Sequence, residues 1–268
     1  LKWCRYTHEG QTGYGLVQDD SIQPLAGGLF DPPRPAGAPL PCSAVQWLPP
    51  VVPGTFYAVG LNYRSHIEHA RQHGMPGAQI PNRPEIGYRA NNALTGHLQP
   101  IMRPRGVHGR FEAEAELVAV IGRKLRRCSR DEARAAIFGW TIGNDVSARQ
   151  WQHSDRTFWR SKNSDTFKPM GPWIDTGADA MNATTLVSVN GERRLSFPTG
   201  AMVFDPCDYI VEMSKYLTLH PGDVLWMGAD GTTQMEPGDT IDIEITGLGT
   251  LRNYVVLDAD GLDEEDRP

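Results

Sequence analysis

Glu114 and Glu116 lie two residues apart in Phe111-Glu-Ala-Glu-Ala-Glu-Leu-Val-Ala-Val-Ile-Gly122. Read as a strand, this segment alternates its side chains between two faces. Ala113, Ala115, Leu117, Ala119 and Ile121 take one face; Glu112, Glu114, Glu116, Val118 and Val120 take the other. Carboxylates two residues apart on one face repel unless water or a cation lies between them. The apolar end of the segment limits the water. A divalent cation resolves the repulsion, because hard cations such as Mg²⁺ take carboxylate oxygens and keep positions open for substrate. An edge strand with a solvated acidic end is the alternative.

A third carboxylate stands in a similar setting. The apolar stretch Ile137 to Ile142 ends in Gly143-Asn144-Asp145. Asp145 therefore emerges from a buried strand, a rigid base for a functional group. There it completes an oxygen set, or it caps a helix that starts in Val-Ser-Ala-Arg-Gln. The turn-rich segment Trp159-Arg-Ser-Lys-Asn-Ser-Asp-Thr-Phe-Lys-Pro-Met-Gly-Pro-Trp173 carries Lys162 and Asp165. Beside a cation site, Lys162 would meet a substrate oxyanion or carboxylate. Lysines are more often simply on the surface.

The elements that must hold these groups read mostly as strands. Residues 1–30 carry short strands, and the proline-rich run Asp31 to Pro41 marks a connector. The expected organisation is a small N-terminal β domain with its connector over 1–45, a main body over 46–257 and an acidic tail over 258–268. Leu186-Val-Ser-Val-Asn-Gly-Glu-Arg-Arg-Leu195 is a hairpin with Asn190-Gly191 as its turn. Pro-Gly-Asp turns at Pro221 and Pro237 separate Val224–Met227 from Thr240–Thr246. Helices are expected only over Ser65–His73, Ser129–Ile137 and Asp205–Leu217. The fold class is β-rich α+β.

Composition narrows the function classes. A chain of 268 residues with 40% hydrophobic content holds a sizeable core. A net charge of −6, with no basic run, points away from nucleic acid and anionic membrane. Cys4, Cys42, Cys128 and Cys207 form neither a CxxC pair nor a dense disulfide framework, which fits reduced thiols in cytoplasm. No apolar stretch is long enough for a transmembrane helix. Leu1-Lys-Trp-Cys-Arg-Tyr lacks a signal-peptide core.

Five pieces carry a resemblance. They are Val59-Gly-Leu-Asn-Tyr-Arg-Ser-His66, Glu114 to Gly122, Asn144-Asp-Val-Ser-Ala-Arg149, Lys162 to Pro172, and Pro237-Gly-Asp-Thr-Ile-Asp-Ile-Glu-Ile-Thr-Gly-Leu-Gly-Thr-Leu-Arg-Asn253. In this order the chain resembles the fumarylacetoacetate hydrolase family over about residues 55–255. The resemblance implies a mixed β-sandwich or roll and a homodimer. It also implies one Mg²⁺ or Mn²⁺ per subunit on Glu114, Glu116 and Asp145, with Glu112 outside the ligand set. Lys162 would contact a small 2-oxo acid substrate, with Arg64, Gln152, Gly228 and Thr232 as further substrate contacts.

Two departures bear on the reaction. Relatives that cleave carbon–carbon bonds carry a Glu three residues after the histidine that corresponds to His66. Here that position is His69, and the acid is Glu68, two residues on, off the shared helix face. Ser65 and Glu68 fit a capping box instead. His66, His69 and His73 share one face, and Gly74–Asn92 is long enough for a lid. The loop Gly228-Ala-Asp-Gly231 replaces the Gly-Thr-Pro-x-Gly of many relatives. Asp230 would repel an anion if it pointed inward, which leaves Thr232 or Thr233 the polar role.

The expected chemistry is hydrolysis of a carbon–carbon bond in an acylpyruvate-like 2,4-dioxo acid. The cation acts as a Lewis acid for the developing enolate, and His66 activates water. Isomerisation or decarboxylation of an unsaturated 2-oxo diacid from aromatic catabolism, or decarboxylation of a 2-oxo acid, uses the same enolate without that base. A non-catalytic β protein holding a structural cation is the remaining alternative.

Overall fold

Val118 and Val120 pack into one apolar cluster, and Ala113, Ala115, Leu117, Ala119 and Ile121 into another. The alternation read from the sequence thus places a single strand between two cores. A computed structural model describes residues 1–72, 77 and 79–259. In it the strand Ala115–Ile121 is buried along its whole length. It pairs antiparallel with Ile137–Asn144 on one side and with Val224–Trp226 on the other. The sheet continues through Lys168–Asp175 to Lys2–His8, where Trp3 faces Ile174. At its other side Val224–Trp226 pairs in parallel with Phe56–Ala58.

A second sheet runs in the order Pro100–Arg103, Gly249–Leu257, Thr240–Ile245, Thr184–Val189, Glu192–Pro198. Its Ile241, Ile243 and Ile245 alternate into the cluster that holds Leu117 and Ala119. Burying each such side chain contributes roughly 1.5–3 kcal/mol, which fixes the register of the strand against slippage. The hairpin between Thr184–Val189 and Glu192–Pro198 turns at Asn190 and Gly191, both at positive φ. That is the geometry for which Asn-Gly is suited. A small third sheet joins Phe111–Ala113 to Ser147–Ala148 and Thr233–Gln234.

The three expected helices form, each within a few residues of its reading: Arg64–Gln72, Arg130–Ala136 and Pro206–Ser214. Ser129 and Asp205 cap the latter two with reciprocal bonds to Glu132 and Asp208. A further short helix spans Arg149–Gln152 and is capped at Ala148, so Asp145 is not its N-cap. Ser65 lies inside the first helix, and its hydroxyl meets Asp230, not Glu68. His73, the start of the expected lid and nearly all of the acidic tail fall outside the described residues. Among the described residues, no helix is long and apolar enough to cross a membrane. The four cysteines are free thiols.

Candidate active site

Glu114 interrupts the strand between Phe111–Ala113 and Ala115–Ile121. Its N–H donates to Asn144 Oδ1 at 3.1 Å, and its carbonyl accepts from the Asp145 N–H at 2.9 Å. The two carboxylates are therefore clamped across the strand pair. Glu116 follows one pleat later, opposite Gly143. A Cβ on Gly143 would come within 2.6 Å of the Trp226 ring, so only glycine lets the indole pack against the strand here.

Glu114, Glu116 and Asp145 are all buried, and each offers an oxygen within 4.8 Å of the others. Lys162 joins them from the turn-rich segment, which Asp155 holds by accepting from the N–H groups of Arg160 and Ser161. Lys162 Nζ donates to Glu114 Oε2 at 2.5 Å and to Asp145 Oδ2 at 2.7 Å. Arg149 donates to Glu112 at 2.7 Å and also to Glu114. Arg89 and Lys168 close on Asp145, with Lys168 Nζ 2.8 Å from Oδ1.

The charges divide unevenly. Burial works against ionisation of all three carboxyls. At Glu114 the cations Arg149 and Lys162 outweigh it and hold the carboxyl down at about 2. At Asp145 burial is likewise overcome, by Arg89, Lys162 and Lys168, and the group stays well below the usual range. Glu116 goes the other way. Burial, then the neighbouring Asp145 and Glu114, push it well above the ordinary value, and the Gly228 N–H at 2.8 Å only partly offsets this. Burial also pushes the Lys168 ammonium down to about 7, despite Asp145.

These groups open onto a cavity of about 390 Å³. Its wall contains Glu114, Glu116, Asp145, Lys162, His66, Gln152 and Thr232. The expected residues are thus brought together, with two differences. Arg64 is exposed on its helix and is not part of the wall. Gly228 lies behind the wall, where its amide serves Glu116. A Cβ there would meet the Gly60 carbonyl at 2.7 Å, and φ is +81°, so the position requires glycine. Glu68 is exposed and away from the cavity, whereas His69 lines it.

His66 Nδ1 lies 2.7 Å from the Ala229 carbonyl oxygen. A carbonyl only accepts, so Nδ1 carries a proton, which leaves Nε2 as the ring nitrogen not engaged by Ala229. The sequence reading missed Arg89, Arg110, Arg149 and Lys168. Lys168 had a signal, since a lysine inside an apolar strand demands buried partners.

The fumarylacetoacetate (FAA) hydrolase C-terminal pattern matches residues 55–256, and the Rv2993c-like N-terminal pattern matches residues 1–50. The chain belongs to the fumarylacetoacetate hydrolase family. It is 37% identical to protein Rv2993c of Mycobacterium tuberculosis over 90% of each chain. It is 32% identical to 2,4-didehydro-3-deoxy-L-rhamnonate hydrolase of a Sphingomonas species, over 95% of this chain and 96% of that one. It superposes on the crystal structure of 5-carboxymethyl-2-hydroxymuconate delta-isomerase from Mycobacterium smegmatis with a TM-score of 0.85 and 32% identity. That match covers 96% of this chain and all of the other. Relatives in this enzyme family thus include hydrolases and isomerases, and the fold alone does not choose between them.

Proposed function

We propose that this protein is a divalent-cation-dependent hydrolase that cleaves a carbon–carbon bond in acylpyruvate-like 2,4-dioxo acids. The observation that carries the reading is the position of His66, whose Nδ1 is engaged by the Ala229 carbonyl and whose side chain lines the cavity of the carboxylate set and Lys162. The similar hydrolase from Sphingomonas supports it, since the name of its substrate denotes oxo groups at carbons 2 and 4.

The donor set fits a hard cation. Three buried carboxylates converge, and one of them, Glu116, is held at high cost while it faces the other two. Glu114, Glu116 and Asp145 would hold Mg²⁺ or Mn²⁺, which would supply Lewis-acid charge for an enolate developing on a 2-oxo acid. The rest of the work falls to the chain. Lys162 has three N–H donors and gives two to Glu114 and Asp145, so the third is available to an enolate oxygen. His66 Nε2 takes one proton from water, and the remaining hydroxide adds to the distal carbonyl carbon. The bond between carbons 3 and 4 then breaks, its electron pair passes into the enolate, and carbon 3 is protonated. Water is consumed, and a carboxylic acid and pyruvate leave. Gln152 and Thr232 provide polar contacts along the wall.

A second reading, isomerisation or decarboxylation of a 2-oxo diacid, draws on one observation. The helix brings no acid to His66, because Glu68 is exposed. Lys162 alone would then serve the enolate, and the likeness to a delta-isomerase favours a reaction of this class. Incubating the protein and Mg²⁺ with acetylpyruvate, and following pyruvate and acetate, tests the first reading. Absence of both products, with loss of CO₂ from oxaloacetate or ketonisation of a 2-hydroxydienoate, would favour the second.

A further inference from the structure

The segment from Trp226 to Asp230 is fastened at four points to Val59, Asn62 and the first turn of the helix Arg64–Gln72. Val59 N–H donates to the Trp226 carbonyl at 2.9 Å, and Asn62 Nδ2 to the Met227 carbonyl at 2.9 Å. His66 Nδ1 donates to the Ala229 carbonyl at 2.7 Å, and the Ser65 hydroxyl donates to Asp230 Oδ1. Asp230 is half-buried and is not part of the cavity wall, although its neighbours Ala229 and Thr232 are. Its carboxylate therefore addresses the helix and not the substrate, which removes the repulsion an anionic substrate would otherwise meet. Burial pushes the Asp230 carboxyl up, and the nearby His66 pulls it back.

We infer that Asp230, held by Ser65 and acting with the Ala229 carbonyl, is the positioning residue of His66, so that the acid assisting water activation comes from this loop and not from the helix. The inference rests on the proposed hydrolysis. When Nε2 takes its proton from water, the ring becomes a cation that donates through both nitrogens. Nδ1–H keeps the Ala229 carbonyl, one residue before Asp230, whose carboxylate is held by the neighbouring Ser65. The charged and titratable groups that line the same cavity as His66 are Glu114, Glu116, Asp145, Lys162, Arg89, Arg110, Arg149, His69 and His153.

The test uses the full chain with saturating Mg²⁺. Asp230→Asn keeps shape and the acceptor for Ser65 but removes the charge. His66 is followed by ¹⁵N ring shifts against pH, and kcat and KM on acetylpyruvate are measured over the same range. The expected result is a His66 titration, and an acid limb of kcat/KM, displaced by about one pH unit to lower pH. The kcat should fall about tenfold with KM changed less than twofold, and Asp230→Glu should restore most of it. Ser65→Ala, at an exposed position, should move both readouts in the same direction by less, and it decides the matter if Asp230→Asn fails to fold. Unmoved His66 ring signals and an unmoved limb would overturn the inference. Displaced ring signals without any cleavage of acetylpyruvate would uphold the coupling of Asp230 to His66 and count instead against the hydrolytic reading.

Discussion

Arg89 grips Asp145 with two parallel hydrogen bonds, Nε to Oδ1 at 3.0 Å and Nη2 to Oδ2 at 2.8 Å. Both groups are buried, and Lys162 and Lys168 approach the same carboxylate from other sides. Asp145 is thus fully compensated before any ligand arrives, while Glu116 is not. The pairing also ties the segment after Gly87–Tyr88 to the carboxylate set in the cavity wall.

Arg89→Met should destabilise the protein by about 1–3 kcal/mol in urea denaturation. Breaking a buried pair costs about 3–5 kcal/mol, and the two lysines left on Asp145 reduce that. Arg89→Lys should recover only part of the loss, because a point charge does not reproduce the two-pronged contact. Wild-type stability in Arg89→Met would show that the lysines alone satisfy Asp145.

Glu116→Gln should have opposite effects with and without a divalent cation. Unfolded, the Glu116 carboxyl ionises near 4.5; folded, it does so well above that, because of burial and its two acidic neighbours. Between those values the folded protein holds the extra proton, so its metal-free stability falls as pH rises through the window. At pH 7 the metal-free glutamine variant should therefore melt higher than the metal-free parent. Its Tm should no longer rise when Mn²⁺ is added, and Mn²⁺ binding followed by electron paramagnetic resonance should weaken at least tenfold. Undiminished Mn²⁺ binding would remove Glu116 from the ligand set.

Lys162→Met should lower kcat by roughly 10²-fold or more, the scale for loss of one oxyanion donor. The circular dichroism spectrum should be unchanged. A change confined to KM would mean that Lys162 binds ground-state charge and contributes nothing to the enolate.

The parts of the site that were legible in the sequence are those governed by local periodicity. A two-residue period puts Glu114 and Glu116 on one face whatever surrounds them, and the apolar run before Gly143 puts Asp145 at a strand end. The helices that begin after Ser129 and Asp205 were legible because their caps are local in the chain. Arg89 was not, since its place depends on the path of a long connection with no period of its own. The Ser65 to Glu68 capping box failed for a tertiary reason. Asp230 of a loop 165 residues away takes the Ser65 hydroxyl, and the helix begins one residue earlier. Arg64, placed beside the motif histidine in sequence, points to solvent because Ile67 claims the buried side of that helix.

His97 should make the fold sensitive to mild acid, away from the carboxylate cluster. Its ring packs edge-on against Trp47, and its Nδ1 accepts the Arg252 backbone N–H at 3.0 Å. Protonation at Nδ1 would destroy that bond. Burial, reinforced by the Arg252 charge, pushes the ring down to about 4 from its ordinary 6.5. As pH falls, the unfolded ring gains its proton near 6.5 and the folded ring only near 4. Between those values the unfolded state holds more protons, so stability falls with pH and this contribution levels out below about 4. The slope from one proton is at most about 1.4 kcal/mol per pH unit. His97→Asn keeps an acceptor for the Arg252 N–H but does not titrate. Urea denaturation of both proteins between pH 4 and 7 should give a difference in unfolding free energy that changes with pH in that window and is flat above it. A difference that stays constant across the whole range would mean that the folded ring protonates as readily as the unfolded one, and that the Nδ1 contact with Arg252 does not persist in solution.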